Sequence, residues 1–252
     1  MSTLMQGKKI VVMGVANSRS IAWGCARALE ENGAEVIYTY QNDRMKKSLT
    51  RTVGEDKSMV ACDVADDDNV TKAFEEIHEK HGNIDGVIHA VAFADKETLE
   101  GGVLNTKRDG YRMAQDISSY SLIAVSRAAS RIMNEGGSIA TLTYFGSTRA
   151  IPNYNMMGIA KAALESSVRY LARDLGPQKI RVNSISAGAM KTLAVTGIKE
   201  HSKLLQLSRD LTVDGNEVTL EEIGNVATFL MSPLSTGVTG DIIYVDKGVH
   251  LS

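Results

Sequence analysis

Only two cysteines occur in the 252 residues, Cys25 and Cys62, each inside an apolar segment. They form neither a disulfide framework nor a CxxC pair, and the five histidines show no metal-ligand spacing. A stapled or metal-centred chain is therefore not expected, and a reducing compartment is. Charge of one sign is also lacking. With 28 basic against 30 acidic side chains the net charge is −2, without the polybasic excess that binds a phosphate backbone, so nucleic acid is not an expected partner. No apolar stretch reaches 18 residues, and the start MSTLMQGKKIVVMG carries only a short apolar run before Gly14 with no cleavage site behind it. Neither a membrane span nor a secretory leader is read there, which makes a cytoplasmic location the expectation. The three prolines, Pro152, Pro177 and Pro233, stand at or outside expected helix boundaries, where a missing N–H does little harm.

What is present is an alternation. Short β-branched runs at 8–13, 35–40, 57–61, 85–90, 138–143, 179–186 and 241–246 are separated by helical patterns at 21–32, 43–53, 69–80, 111–134, 155–175 and 221–231. Most of the runs lack the apolar/polar alternation of a half-exposed strand, as strands covered on both faces do. Thr219 followed by Glu222 reads as a capping box, and Gly33 and Gly176 as glycines that stop their helices. No Pro/Ser-rich linker, repeat or low-complexity block divides the chain. The expectation is a single doubly wound Rossmann-type α/β domain over 1–252, with about seven parallel strands and helices on both faces. Two stretches, 93–110 and 187–217, are too long for ordinary connections. Both follow expected strands, whose carboxyl ends are where this architecture binds ligands.

The first strand runs into Gly14, and the small residues Ala16, Ser18, Ser20 and Ala22 follow. Such a turn lets backbone approach a pyrophosphate over a helix N-terminus, although it is not a clean GxGxxG and a tight turn without ligand fits it too. At the end of strand two TYQNDRMKK places the neutral Gln41 at the ribose contact, with Asp43 and Arg44 just beyond. Spacing alone leaves NAD and NADP both open there. Asp63 and Val64 after strand three are candidates to hold adenine, and Ala90, Val91 and Ala92 after strand four leave room for the middle of a dinucleotide.

The strongest chemical signal is LTYFGSTRAIPNYNMMGIAKAALE. Tyr154 and Lys161 are seven residues apart, which on a helix is about 10.5 Å of rise with only about 20° of drift. They share a face, so the tyrosine can reach a reacting carbonyl while the lysine reaches a nicotinamide ribose. A nearby ammonium also favours either a phenolate or a strengthened phenol donor.

Taken together, GVANSRSIAWG, TYQNDR, CDVA, DISSYS, YFGSTRAIPNYNMMGIAKAALE and RVNSISAGAMKTLAVTG resemble the enoyl-acyl-carrier-protein reductases of bacterial type II fatty-acid synthesis, a divergent branch of the short-chain dehydrogenase/reductases. Ordinary short-chain dehydrogenases carry Tyr-x-x-x-Lys with a serine thirteen residues before the tyrosine. Here the position four before Lys161 is Met157, and thirteen before that is Tyr144. The Tyr144/Tyr154/Lys161 arrangement is the mark of the reductase branch. Ala189, where many members have proline, and Lys247 in VDKG are mild departures that bear on loop stiffness.

The resemblance implies hydride transfer from NADH, with NADPH the lesser alternative, to the β-carbon of a trans-2-enoyl thioester on acyl carrier protein. It implies catalysis by Tyr154, Lys161 and Tyr144, the last orienting the thioester or assisting proton delivery. Cofactor contacts would come from Gly14, Ala16, Ser20, Ile21, Gln41, Asp63, Val64, Ala90, Val91, Ala92, Lys161, Ala187, Gly188, Met190 and Thr192. Substrate contacts would come from Phe93, Ala94, Tyr144, Tyr154, Met157, Ala194, Val195 and Ile198. A substrate-binding lid is implied around 189–217, its apolar wall formed by Met190, Leu193, Ala194, Val195, Ile198, Leu204 and Leu207. Its Lys191, Lys199, Lys203 and Arg209, against Glu200 and Asp210, would give a basic rim for an acidic carrier. Assembly as a homotetramer through 111–134, 155–175 and the C-terminal stretch is implied as well. Two other readings stay open at this level: an ordinary 3-ketoacyl or alcohol dehydrogenase, which needs tyrosine in place of Met157, and a catalytically silent NAD-binding sensor or scaffold.

Overall fold

The computed structural model describes residues 3–192, 195 and 201–252. Seven parallel strands form one sheet: β1 (Lys9–Met13), β2 (Glu35–Tyr40), β3 (Met59–Ala61), β4 (Ile84–His89), β5 (Met133–Thr143), β6 (Arg181–Ala187) and β7 (Ile242–Val245), in the order β3-β2-β1-β4-β5-β6-β7. Nine α-helices lie among the described residues: α1 (Ile21–Glu31), α2 (Asp43–Val53), α3 (Asp67–His81), α4 (Lys96–Leu99), α5 (Arg108–Gln115), α6 (Ser121–Ala129), α7 (Asn155–Leu175), α8 (His201–Asp210) and α9 (Leu220–Met231). This is a single Rossmann-type α/β domain.

Successive side chains of a strand point to opposite faces, and in β1 this divides the core in two. Val11 and Met13 join Val70 and Phe74 of α3, Leu122 and Val125 of α6 and Leu164 and Val168 of α7. Ile10 and Val12 join Cys25 and Leu29 of α1, Leu49 of α2 and Ile223 and Leu230 of α9 on the other face. The chain moves outward from β1 to β3, then returns across β1 to β4. The crevice at the carboxyl ends of β1 and β4 is thus the switch point where such sheets bind ligands.

Three local expectations are corrected. The helix expected over 111–134 is α5, a π-helical turn at Asp116–Tyr120 and α6, ending at Ala129 because Met133 already pairs with Ile84 in the sheet. Buried hydroxyls engage backbone at that turn: Ser118 accepts from the Phe93 N–H and donates to the Phe93 carbonyl, while Ser121 donates to the Ile117 carbonyl. The third helix starts at Asp67 because the Asp66 carboxylate accepts from the amides of Asp68 and Asn69. Gly33 leaves α1 with φ 96°, but Gly176 keeps φ −54° and continues as a 3-10 turn; Lys179, at φ 58°, takes the left-handed position. The Thr219/Glu222 capping box is present in both directions at the start of α9. No helix among the described residues is long and apolar enough to cross a membrane, and no metal-ligand cluster occurs among them.

Candidate active site

A cavity of about 1750 Å³ runs along the carboxyl ends of the strands. Its nucleotide end is built by the turn from β1 to α1. Gly14 sits at φ 92°, a conformation that L side chains rarely adopt, and a Cβ there would lie 2.0 Å from the Ala90 carbonyl oxygen. Only glycine lets the ends of β1 and β4 approach this closely. Beyond it Ser20 does the work of a second glycine by another route: its hydroxyl accepts from the amides of Ala16 and Asn17, both at 3.0 Å, and so folds the turn over the start of α1. Ser48 of α2 donates to the Ala16 carbonyl at 2.6 Å and pins the same turn from the side. At the ends of β2 and β3, Gln41 donates its amide to the Asp63 carboxylate. Asn69 accepts from the Asp63 N–H at 2.7 Å. A backbone cradle that a Cβ would fill, beside a carboxylate at the outer end, fits an adenine dinucleotide laid from Asp63 and Val64 across Gly14 to Ala90, Val91 and Ala92.

The chemical end hangs on β5 and α7. Tyr154 immediately precedes the first residue of α7, at φ −98°, so the pair with Lys161 begins at the helix boundary and not inside the helix. It lies between two asparagines with left-handed φ, Asn153 at 61° and Asn155 at 32°. The Asn155 amide donates to the carbonyls of Leu99 and Gly101, both at 2.8 Å, which fastens the long 93–110 stretch beside the tyrosine. The rings of Tyr144 and Tyr154 meet edge to face with centroids 5.0 Å apart. Gly146 makes room for this: a Cβ there would sit 2.6 Å from Tyr154 Cδ1 and 3.1 Å from Tyr144 Cδ1. Lys161 is 7 % exposed and donates to the Leu142 carbonyl at 2.7 Å.

Burial sets the protonation states. It raises both phenols, Tyr154 with help from the neighbouring Tyr144 and from Glu165, and Tyr144 with help from Asp246. Both tyrosines therefore stand as O–H donors, and of the two expectations, phenolate or strengthened donor, the phenolate is not met. Burial pulls the Lys161 ammonium down to about 8, opposed by Glu165. His89, fully buried at the end of β4, is pushed down to about 3 by burial and then by Lys161. It is held neutral between Thr141 and Ser121. The thiols of Cys25 and Cys62 are pushed up to about 12 by burial, which removes them from nucleophilic chemistry.

The expected cofactor-side residues Gly14, Ala16, Ser20, Ile21, Gln41, Asp63, Val64, Ala90, Val91, Ala92, Lys161, Ala187, Gly188, Met190 and Thr192 all line this one cavity. So do Phe93, Ala94, Tyr144, Tyr154, Met157 and Val195 from the expected substrate side. Ala194 and Ile198, with Leu193, Lys199 and Glu200, lie outside the described residues. Of the remaining apolar wall, Leu204 lines the cavity but Leu207 is exposed and does not. The expected basic rim is smaller than its charges suggest, since Arg209 is ion-paired with Glu217. Asn155, Gly146 and His89 carry no expected role in the sequence, nor does the π turn that supplies Asp116, Ile117 and Ser119 to the lining. Polar DISSYS inside an apolar helix pattern was the available sign of that turn.

The enoyl-(acyl carrier protein) reductase family model matches residues 14–250. The chain is 59 % identical over 248 residues to the enoyl-acyl-carrier-protein reductase (NADH), FabI, of Enterococcus faecalis, covering 98 % of this chain and 99 % of the relative. It is 44 % identical over 250 residues to the corresponding enzyme of Staphylococcus aureus, named for NADPH, with 98 % of each covered. The crystal structure of the Bacillus cereus enoyl-acyl carrier protein reductase with NADP⁺ and indole naphthyridinone superposes with a TM-score of 0.96 at 46 % identity, covering 100 % of this chain and 99 % of that one.

Gly14→Ala should weaken dinucleotide binding by about tenfold or more, about 1.4 kcal/mol, because the new methyl would collide with the Ala90 carbonyl and force the turn out of the shape that receives the nucleotide. Titration of NADH fluorescence checks it; an unchanged Kd would remove the nucleotide from this turn.

Proposed function

The chain belongs to the enoyl-(acyl carrier protein) reductase family, and on that premise we propose that it reduces the trans-2 double bond of enoyl thioesters with NADH, Tyr154 and Lys161 being its chemical pair. The observation that carries the reading is the shared cavity in which Tyr154, Tyr144 and Lys161 stand at one end and Gly14 and Asp63 at the other. Met157 lines the cavity where an ordinary ketoreductase needs its tyrosine. That speaks against the 3-ketoacyl or alcohol dehydrogenase reading, and the buried tyrosine and lysine speak against a silent sensor.

The dinucleotide, when bound, supplies the hydride that adds to the β-carbon of the enoyl group. As negative charge then develops on the thioester oxygen, the Tyr154 O–H donates to it; preorganised donors aimed at developing charge are worth more there than in water. Lys161, tied to the Leu142 carbonyl, keeps further N–H donors for the nicotinamide ribose and contributes positive potential. Tyr144, edge-on to Tyr154, orients the thioester. The segment 189–217 acts as a lid: Met190, Val195 and Leu204 already face the cavity, and closing over an acyl chain excludes water from the transfer. Lys191, exposed at the entrance, is suited to an acidic carrier protein.

Two observations support NADH. Gln41, uncharged, lines the ribose end, and Arg44 does not line the cavity. At that end a 2′-phosphate meets no cationic side chain among the described lining residues. Homotetramer assembly is supported by apolar side chains left exposed on α7, Ile159 and Tyr170.

NADH and NADPH oxidation, measured side by side with a trans-2-enoyl thioester, tests the reading: kcat/KM should be higher with NADH, and equal or better use of NADPH would overturn the cofactor assignment. Tyr154→Phe should lower kcat/KM by about 10²- to 10³-fold with NADH affinity nearly intact. Lys161→Ala should lower both together. Full activity in Tyr154→Phe with loss in Tyr144→Phe would reverse the two roles.

A further inference from the structure

One buried charge has no part in the chemistry above. Glu165 lies on α7 one turn beyond Lys161, 5 % exposed, and does not line the cavity. Consecutive residues of β5 hold the two side chains: the Leu142 carbonyl accepts from Lys161 Nζ at 2.7 Å, and Thr143 Oγ1 donates to Glu165 Oε1 at 2.6 Å. A carboxylate placed so deep is costly unless opposite charge answers it.

Resting on the reading of Lys161 as the cofactor-side cation, we propose that Glu165 is the buried counter-charge that keeps Lys161 protonated, a positioning residue that acts through the lysine and never touches substrate. Among the described residues, the other groups around Lys161 are neutral, paired elsewhere or, like Asp116, open to the cavity. On β4, His89 is neutral between Thr141 and Ser121. On the π turn, Tyr120 donates away to Asp67, and Asp116 lines the cavity. After β7, the Asp246 carboxylate is engaged by the amides of Gly248 and His250 and by the His250 ring. On α4 and α5, which also pack against α7, Lys96 pairs with Glu100 and Arg112 with Asp109, while Tyr144 and Tyr154 are raised by burial and carry no charge. Glu165 also opposes ionisation of Tyr154, so one carboxylate holds both partners in the protonated forms their roles require.

The sign follows. Burial lowers Lys161 and Glu165 raises it, so removing the charge lowers the lysine further and brings its deprotonation to lower pH. Proteins carrying ¹³C-labelled lysine report this directly, with the Lys161 Cε resonance assigned by its loss in Lys161→Met. In Glu165→Gln, which keeps the acceptor for Thr143, the midpoint should fall by about one pH unit, and the alkaline loss of NADH affinity should move down with it. Glu165→Asp should restore most of the shift. Thr143→Val, which leaves the carboxylate in place, should move the midpoint much less. An unchanged midpoint in Glu165→Gln overturns the proposal, as does an equal fall in Thr143→Val. A wild-type protein that reduces no enoyl thioester would overturn the parent reading instead, while the lysine titration still decides the role of Glu165.

Discussion

The fastening of α7 to the carboxyl end of β5 is the constraint on which the rest of the site depends. Lys161 reaches the Leu142 carbonyl, Glu165 takes the Thr143 hydroxyl, and Gly158 approaches the segment after β5 so closely that a Cβ would lie 2.7 Å from the Gly146 carbonyl oxygen. Helix and strand thereby become one body. Tyr154 at the helix start and Tyr144 at the strand end are held in ring contact as a result. Placing the lysine in the protein interior costs free energy, and its hydrogen bond and opposite charge offset that cost only in this geometry. Precision here matters because a catalytic donor displaced by about 1 Å can lose 10²-fold in rate.

The sheet gives that body its address. β5 is two strands from β1, and the switch point between β1 and β4 leaves the crevice that the nucleotide turn closes from one side and the end of β5 from the other. Between them, the π turn and the end of β4 are joined by Ser118 on Phe93 and by Ser121 on His89. Buried hydroxyls thus fix the π turn and the start of α6 against the segment that ends β4.

The strand pattern was legible because parallel strands covered on both faces read as continuous apolar runs. All seven lie where IVVM, VIYTY and their counterparts indicate, β2 at the expected 35–40 and the other ends within two residues, except that β5 begins earlier, at Met133. Tyr154 and Lys161 were legible through their spacing and Gly14 through its place after β1. The π turn was not, because three-dimensional partners decide it: Ser118 and Ser121 look like ordinary helix residues until Phe93 and His89 are brought beside them. Asn155 was hidden for the same reason, since its acceptors at Leu99 and Gly101 are more than fifty residues away. Arg209 looked like a free rim charge because its partner Glu217 lies across a turn that no period in the sequence announces.

Reduction of a carbon–carbon double bond, with charge gathered on the thioester oxygen at Tyr154, leaves an isotopic record. The most direct measurement follows deuterium from NADH labelled at its transferable C4 position into the product of a trans-2-enoyl thioester, read by mass spectrometry and NMR. The result predicted is a saturated acyl thioester with deuterium at the β-carbon and a solvent proton at the α-carbon. Deuterium at the α-carbon, or turnover only of a 3-ketoacyl thioester with label on its carbinol carbon, would contradict it.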